Sequence, residues 1–338
     1  ATTDMTYLQD SNALGTNYVV ASMGGGFGEG SQVAVHATQD NTQITFTPKG
    51  GAAINVTLQK GETYKYAGGS TDLTGSSVTA DKAVAVFSGH ACAQVPIGTS
   101  FCDTLLEQAI ATDKLSKVYE VAASKGATLA GGDLVRVIAT TNGTQVKVNG
   151  AVVATLNKGQ FHEMTLAANT GAKIETSEVA AVAQYLKGGG GSNTDPAMSY
   201  VPGKDTWLKS YRLATPSGGA AFSVNYASIV IATDDLDSLL LNGADVDTSS
   251  FTAIGTTGLS RGNVDLALGL FEMSAANSFL LMLGGGSGAD SYYTYGGATF
   301  APGISEPPTT NNVPIPGTIF LVGAALASLG LTRKRRAA

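Results

Sequence analysis

Three stretches of this chain follow one pattern, and that recurrence limits the fold more than any other feature. Residues 33–46 (VAVHATQDNTQITF), 135–148 (VRVIATTNGTQVKV) and 228–241 (SIVIATDDLDSLLL) each set alternating apolar or β-branched residues before an Ala-Thr pair. A polar turn follows, and then a second run. Period-two alternation describes a half-buried strand, and turn residues between two such runs predict a β-hairpin. Other segments recur as well: 57–66 (TLQKGETYKY) parallels 155–164 (TLNKGQFHEM), and 77–89 parallels 174–188. In the third copy 265–283 takes the equivalent place. The period is about 95–100 residues, with several short strands in each. The expected fold is therefore all-β, with three related β-sandwich-like units at 1–108, 109–200 and 201–300 and a Cys loop at 88–108. The best interior helix candidate is 104–114. The glycine runs 24–26, 188–191 and 284–286 read as loops between strands.

Composition removes several classes. Charged residues are 14% of the 338, well under the usual quarter, and the net charge is −6. An apolar fraction of 43% excludes a charged disordered tail. Four of the twenty cations sit together at 333–336, so the body has no basic footprint for nucleic acid. The 43 glycines lack a three-residue period, which excludes collagen. GGGFGEG at 24–30 is followed by neither a helix nor Lys-Ser/Thr, so it is not a nucleotide loop.

The C-terminus, 313–338, reads VPIPGTIFLVGAALASLGLTRKRRAA. An uncharged stretch from 317 to 332 precedes Arg333, Lys334, Arg335 and Arg336. As a helix it would extend about 24 Å, close to a hydrocarbon core of roughly 30 Å. The basic cluster is expected to stay cytoplasmic, leaving the body outside. The order Val313-Pro314-x-Pro316, apolar stretch, basic run resembles the PEP-CTERM family of sorting tails in its Val-Pro-x-Pro variant. Ile315 stands where the name-giving motif has Glu. The resemblance implies a C-terminal transmembrane helix, an exosortase-type processing enzyme, passage through the inner membrane, and release to the cell surface or exopolysaccharide. Residues 301–312 read as a linker. Ala1 in place of Met suggests a removed secretory signal peptide.

Further motifs run through the body. They are Leu14-Gly15-Thr16, Asp72-Leu73-Thr74-Gly75, Ser88-Gly89-His90 with Cys92, Val95-Pro96, Cys102-Asp103 with Glu107-Gln108, Ala183-Gln184-Tyr185 and Asp195-Pro196. Together these resemble the N-terminal domain family of IgGFc-binding protein over about 14–296, most strongly in 70–108. The resemblance implies an all-β, extracellular, non-enzymatic binding or matrix module. It does not imply that this copy binds immunoglobulin.

Candidate chemistry is sparse. Cys92 and Cys102 are spaced C-x9-C, which fits no zinc pattern and reads as a local disulfide in an oxidising compartment. The alternative is a free Cys92 acting as a nucleophile beside His90. His36 and His162 read as half-exposed sheet residues. Asp40, Asp234, Asp235 and Asp237 fall in turns, where such side chains bond their own backbone; a surface calcium site is the alternative. Tyr292, Tyr293 and Tyr295 read as a closing strand, or, if exposed, as a sugar-stacking surface. No cofactor and no metal site are expected.

The function expected is that of a secreted bacterial surface or extracellular-matrix protein. It is non-catalytic and acts in adhesion, matrix cohesion or self-assembly. The alternatives are a carbohydrate- or glycoprotein-binding module retained in exopolysaccharide, and a secreted hydrolase. Partners expected are extracellular polysaccharide or glycoprotein and other copies of the chain, with no nucleic acid.

Overall fold

The computed structural model describes residues 4–189, 194–217, 222–288 and 290–300. The expected linker, transmembrane helix, sorting motif and basic cluster at 301–338 lie outside the described residues. Among the described residues the chain is all-β, and no helix there is long and apolar enough to cross a membrane.

The strand Ser77–Ala93 organises the first third of the chain. Its inward alternation breaks around 81–83, and it serves two sets of partners. Its first part pairs with Gly15–Val19 and Thr42–Thr47, through Tyr18↔Val78 and Phe46↔Val78. Its later part pairs with Phe27–Ala37 and Asp103–Gln108, through Ala34↔Phe87 and Phe87↔Gln108. Ile54–Leu58 and Thr63–Gly69 flank the two sets. Phe46 and Val78 on one side share a core with Val33, Val35 and Val86 on the other.

That pairing order returns twice. Val118–Ala122, Gly171–Thr176, Thr144–Val148 and Ala151–Leu156 make one four-stranded sheet. Ala197–Tyr200, Ala180–Leu186, Asp133–Ala139 and Phe161–Leu166 make another. Here the central strand is broken at 177–179, so the two sheets separate. In the last third Leu270–Gly286 is again a 17-residue strand. Its first part pairs with Leu208–Ala214 and Leu240–Leu241, and its later part with Val224–Ala232 and Ser291–Tyr295. One core runs through the first two strand sets and the outer side of the third, and a second core fills the third.

The Ala-Thr turns do not close hairpins. Phe27–Ala37 and Thr42–Thr47 each bond to Ser77–Ala93 and not to one another, so the turn carries the chain from one side of the core to the other. Asp133–Ala139 and Thr144–Val148 likewise fall in different sheets. In the third copy the 3-10 helix Thr233–Ser238 makes the crossing. The threonine has a defined job. Thr38 Oγ1 donates to Ala83 O at 2.7 Å, and Thr140 Oγ1 donates to Val179 O, each tying the turn to the break in the central strand.

Two other expectations are corrected. The helix candidate 104–114 is the strand Asp103–Gln108 followed by the 3-10 turn Thr112–Lys114. Leu105 is buried and Leu106 exposed, the alternation of an edge strand, and Ser77–Ala93 supplies the hydrogen-bond partners. The run 284–286 lies inside a strand. A Cβ on Gly284 would sit 2.6 Å from the Tyr226 ring, and one on Gly285 2.4 Å from the Tyr292 ring, so these glycines make room for aromatics.

A tyrosine fixes each strand set at the same place. Tyr18 Oη donates to Val84 O and accepts from Gly15 N. Tyr119 does the same with Ala180 O and Ser116 N, and Tyr211 with Phe279 O and Leu208 N. Each ring is buried, so loss of its hydroxyl strands a carbonyl and an amide away from water. Tyr119→Phe is expected to lower stability by about 1–3 kcal/mol, read as a lower urea midpoint with an unchanged slope. An unaltered midpoint would contradict the role assigned to this corner.

Candidate functional site

The motif-rich segment folds into a disulfide-closed corner. Cys92 and Cys102 are bonded, with Cα atoms 5.1 Å apart. Cys92 therefore has no thiolate to offer as a nucleophile. His90 is committed as well: Nε2–H donates to Gly25 O at 2.8 Å and Nδ1 accepts from Cys92 N at 3.0 Å. Burial lowers its pKa, so the ring is held neutral with both nitrogens engaged. Beside the corner, Ile97 and Phe27 are 62% and 60% exposed. These make an apolar rim, not a reaction centre.

Arginine side chains join the strand sets. Arg136 in Asp133–Ala139 is almost fully buried and reaches back into the first set. Its Nη1 donates to Ser22 O at 2.7 Å and Thr74 Oγ1 at 2.8 Å and pairs with Asp72 at 3.0 Å. Its Nε pairs with Glu163 at 2.8 Å, and Phe161 and Tyr185 lie against the guanidinium. Tyr185 Oη also donates to Ser22 O. Two of the sequence motifs, Asp72-Leu73-Thr74-Gly75 and Ala183-Gln184-Tyr185, thus meet at a junction. Gly75 belongs to it: φ is +91°, and a Cβ there would lie 1.8 Å from Gly159 O. Arg261 in the third set donates to Ala123 O at 2.6 Å. Ser22 and Ala123 each stand four residues after a corner tyrosine, so both arginines claim the same carbonyl of the preceding set.

The three sets also meet along a buried polar line. Asp103, Asp195 and Asp290 each lie three residues before the axial residue that pairs with Gly89, Tyr185 or Gly284. They are one structural position contributed three times. Burial pushes Asp103 up to about 8, and the Asp195 and Asp290 carboxyls beside it push the same way. Asp195 is pushed up to about 6 by burial and by Asp290. Four residues on, Glu107, Ser199 and Thr294 form a second such layer. Burial lifts the Glu107 carboxyl well above its ordinary range, Asp4 adds to the rise, and the hydroxyls of Thr6, Thr294 and Ser199 oppose it. Residues 4–9 lie along this line: Thr6 Oγ1 donates to Glu107 at 2.8 Å, Tyr7 N to Thr294 Oγ1, and Gln9 Nε2 to Tyr295 Oη.

Other candidates take structural places. Tyr292, Tyr293 and Tyr295 form the strand Ser291–Tyr295 and are buried, so they offer no stacking surface. His36 Nδ1 bonds to Thr63 Oγ1. Asp40 and Asp235 do not bond their own turns: Asp40 Oδ1 accepts from Lys60 N and Asp235 from the Asn277 side chain, each tying its turn to a distant segment. Among the described residues no group of three or more His, Cys, Asp or Glu is arranged to hold a metal ion. An apolar cavity of about 270 Å³ opens between Leu129, Leu186, Val224, Tyr226 and Gly285. Arg136, Arg261, Tyr119, Tyr211 and Asp290 carry no motif of their own, whereas Asp103 and Asp195 stand in the motifs Cys102-Asp103 and Asp195-Pro196. Tyr18, Tyr119 and Tyr211 stand 19, 20 and 21 residues before the alanines of the Ala-Thr pairs, a spacing that could have flagged them; the arginines and aspartates keep no such spacing.

The buried polar groups are consumed in packing and a disulfide closes the motif-rich corner of an all-β body. The chain belongs to the IgGFc-binding protein family: that family, described as IgGFc binding protein, matches residues 4–285. The human (Homo sapiens) IgGFc-binding protein is 33% identical over 132 residues, which cover 36% of this chain and 2% of the human protein. No solved structure matches the chain.

The carboxylate line sets a pH dependence. A carboxyl whose folded pKa is raised keeps a proton that the unfolded chain has released, so stability falls as pH rises from 3.8 to about 8 for Asp103. Asp103→Asn is expected to remove up to about 1.4 kcal/mol per pH unit of that slope. Urea midpoints at pH 5 and pH 8 check it; an equal fall in variant and parent would contradict it.

Proposed function

We propose that this chain is an exported, non-catalytic surface or extracellular-matrix protein of a bacterium that works by contact, in adhesion, matrix cohesion or self-assembly. Family membership carries the reading, and the disulfide supports it, because such bonds persist in oxidising compartments. The name of the human relative says that it binds IgG Fc. For this chain the ligand class is an extracellular glycoprotein or polysaccharide, without commitment to immunoglobulin. Burial of Tyr292, Tyr293 and Tyr295 removes the observation that favoured sugar stacking, so protein contact leads.

The three strand sets are three duplicated β-sandwich units, residues 1–108, 109–200 and 201–300. The tail 313–338 is a sorting segment: an exosortase-type enzyme acts at Val313-Pro314-x-Pro316, while Arg333, Lys334, Arg335 and Arg336 hold the apolar stretch in the inner membrane until then. The tripartite order of the tail supports this.

Intact mass of the protein recovered from separated native cell fractions tests the reading. The expected result is a surface or matrix species that has lost the segment after the proline motif and carries an oxidised Cys92–Cys102 pair. An untrimmed chain in the cytosol with two free thiols would overturn it.

A further inference from the structure

Among the described residues, the repeated junction leaves one half open in the first unit and one in the third. The corner tyrosines bond to Val84, Ala180 and Phe279, so these three positions are equivalent. Three residues further along the central strand, Phe87 pairs with Ala34, Ala183 with Arg136, and Met282 with Ser228. Five residues along, Gly89 pairs with Leu106, Tyr185 with Met198, and Gly284 with Tyr293. These residues make one sheet face, present three times.

In the second unit that face is buried against the first unit, through Arg136 and Tyr185 at Ser22 O. In the third unit the strands of that face turn toward the second, with Arg261 at Ala123 O and the Tyr226 hydroxyl close to Gly126. Met198 and Tyr293 are accordingly fully buried. In the first unit the same face is open. Leu106, equivalent to Met198 and Tyr293, is 42% exposed. Gln32, Ala34, Lys65, Phe87, Gly89 and Leu106 line a groove there of about 240 Å³.

The receiving edge is also left over once. It follows the corner tyrosine by four residues: Ser22 in the first unit, Ala123 in the second, Thr215 in the third. Ala123 N bonds to Thr170 O, and the next residue, Gly171, lies under the Ile254 side chain of the third unit. Thr215 N bonds in the same way to Gly269 O, and the next residue is Leu270. Leu270 and its neighbour Leu268 are 77% and 56% exposed. Among the described residues, one set of junctions thus stops at an open groove and the other at two exposed leucines.

We propose that the open face of the first unit takes the Leu268/Leu270 edge of a second copy of this chain, head to tail. The occupant follows from the molecule itself, since an edge equivalent to the two that meet this face within the chain carries two exposed leucines, Leu268 and Leu270, beside the buried Thr215. Unlike surfaces meet, so the contact is heterologous and propagates to a filament or closes as a ring. The inference rests on the contact function proposed above and names its partner.

The test uses the full chain, dispersed in mild detergent, with Leu106→Lys altering the face and Leu270→Lys altering the edge. Both positions are exposed, so both variants are expected to melt with the parent. Light scattering coupled to size exclusion should show parental oligomers that grow with concentration. Each variant alone should associate about tenfold or more weakly. Mixed, the two variants retain one intact face and one intact edge between them and should form a heterodimer that grows no further. A parent that stays monomeric to its solubility limit overturns the proposal and implies that the face serves some other occupant. So do oligomers indifferent to both substitutions. Neither result bears on cellular location, which decides the contact function separately.

Discussion

A guanidinium buried between two strand sets sets the terms for the rest of this protein. Arg136 gives up its water to bond Ser22 O, Thr74 Oγ1, Asp72 and Glu163, and the rings of Phe161 and Tyr185 fill the space around it. A charge removed from water is tolerated only when its donors are met, so the loop 20–26 and the turn 70–76 must stand in one arrangement for the second set to dock. Breaking such an interface pair costs about 2–5 kcal/mol, a large share of the stability of an ordinary domain. Arg261 at Ala123 O repeats the device one step along the chain. The recurring strand order thus comes with a recurring joint.

The same economy accounts for the polar residues of the segment 88–108. His90, Glu107 and Asp103 are titratable groups in a motif-dense segment, which is the usual description of an active site. Here each is tied to packing: His90 to Gly25 and Cys92, Glu107 to the segment 4–9, Asp103 to its equivalents in the other two sets. Raised carboxyl pKa values come from burial along a line where three copies of one strand meet. What remains open is sheet face, groove and rim, the features through which extracellular β proteins bind.

Strand positions were legible because alternation depends only on which side of a strand is buried. Which strands pair was not. Phe27–Ala37 and Thr42–Thr47 alternate identically whether they bond to each other or to opposite ends of Ser77–Ala93, and the partner lies more than thirty residues downstream. The segment 104–114 misled because Leu105-Leu106 and the acids around them suit a helix face as well as an edge strand. The run 284–286 suggested a loop because the tyrosine rings that need its space belong to other strands. Asp103, Asp195 and Asp290 are far apart in sequence, and only the threefold register of the central strands brings them together. The paired cysteines, close in sequence, needed no such knowledge.

The three strand sets form one cooperative body around the shared carboxylate line. Hydrogen exchange of the native chain, followed by mass spectrometry, tests this most directly. Amides in Asp103–Gln108, Ala197–Tyr200 and Ser291–Tyr295 should exchange at one common, slowest rate, as strands that open only with global unfolding do. Three separate rates, each set releasing its strand on its own, would mean that the sets are beads on a string and that the joints described here do not hold them.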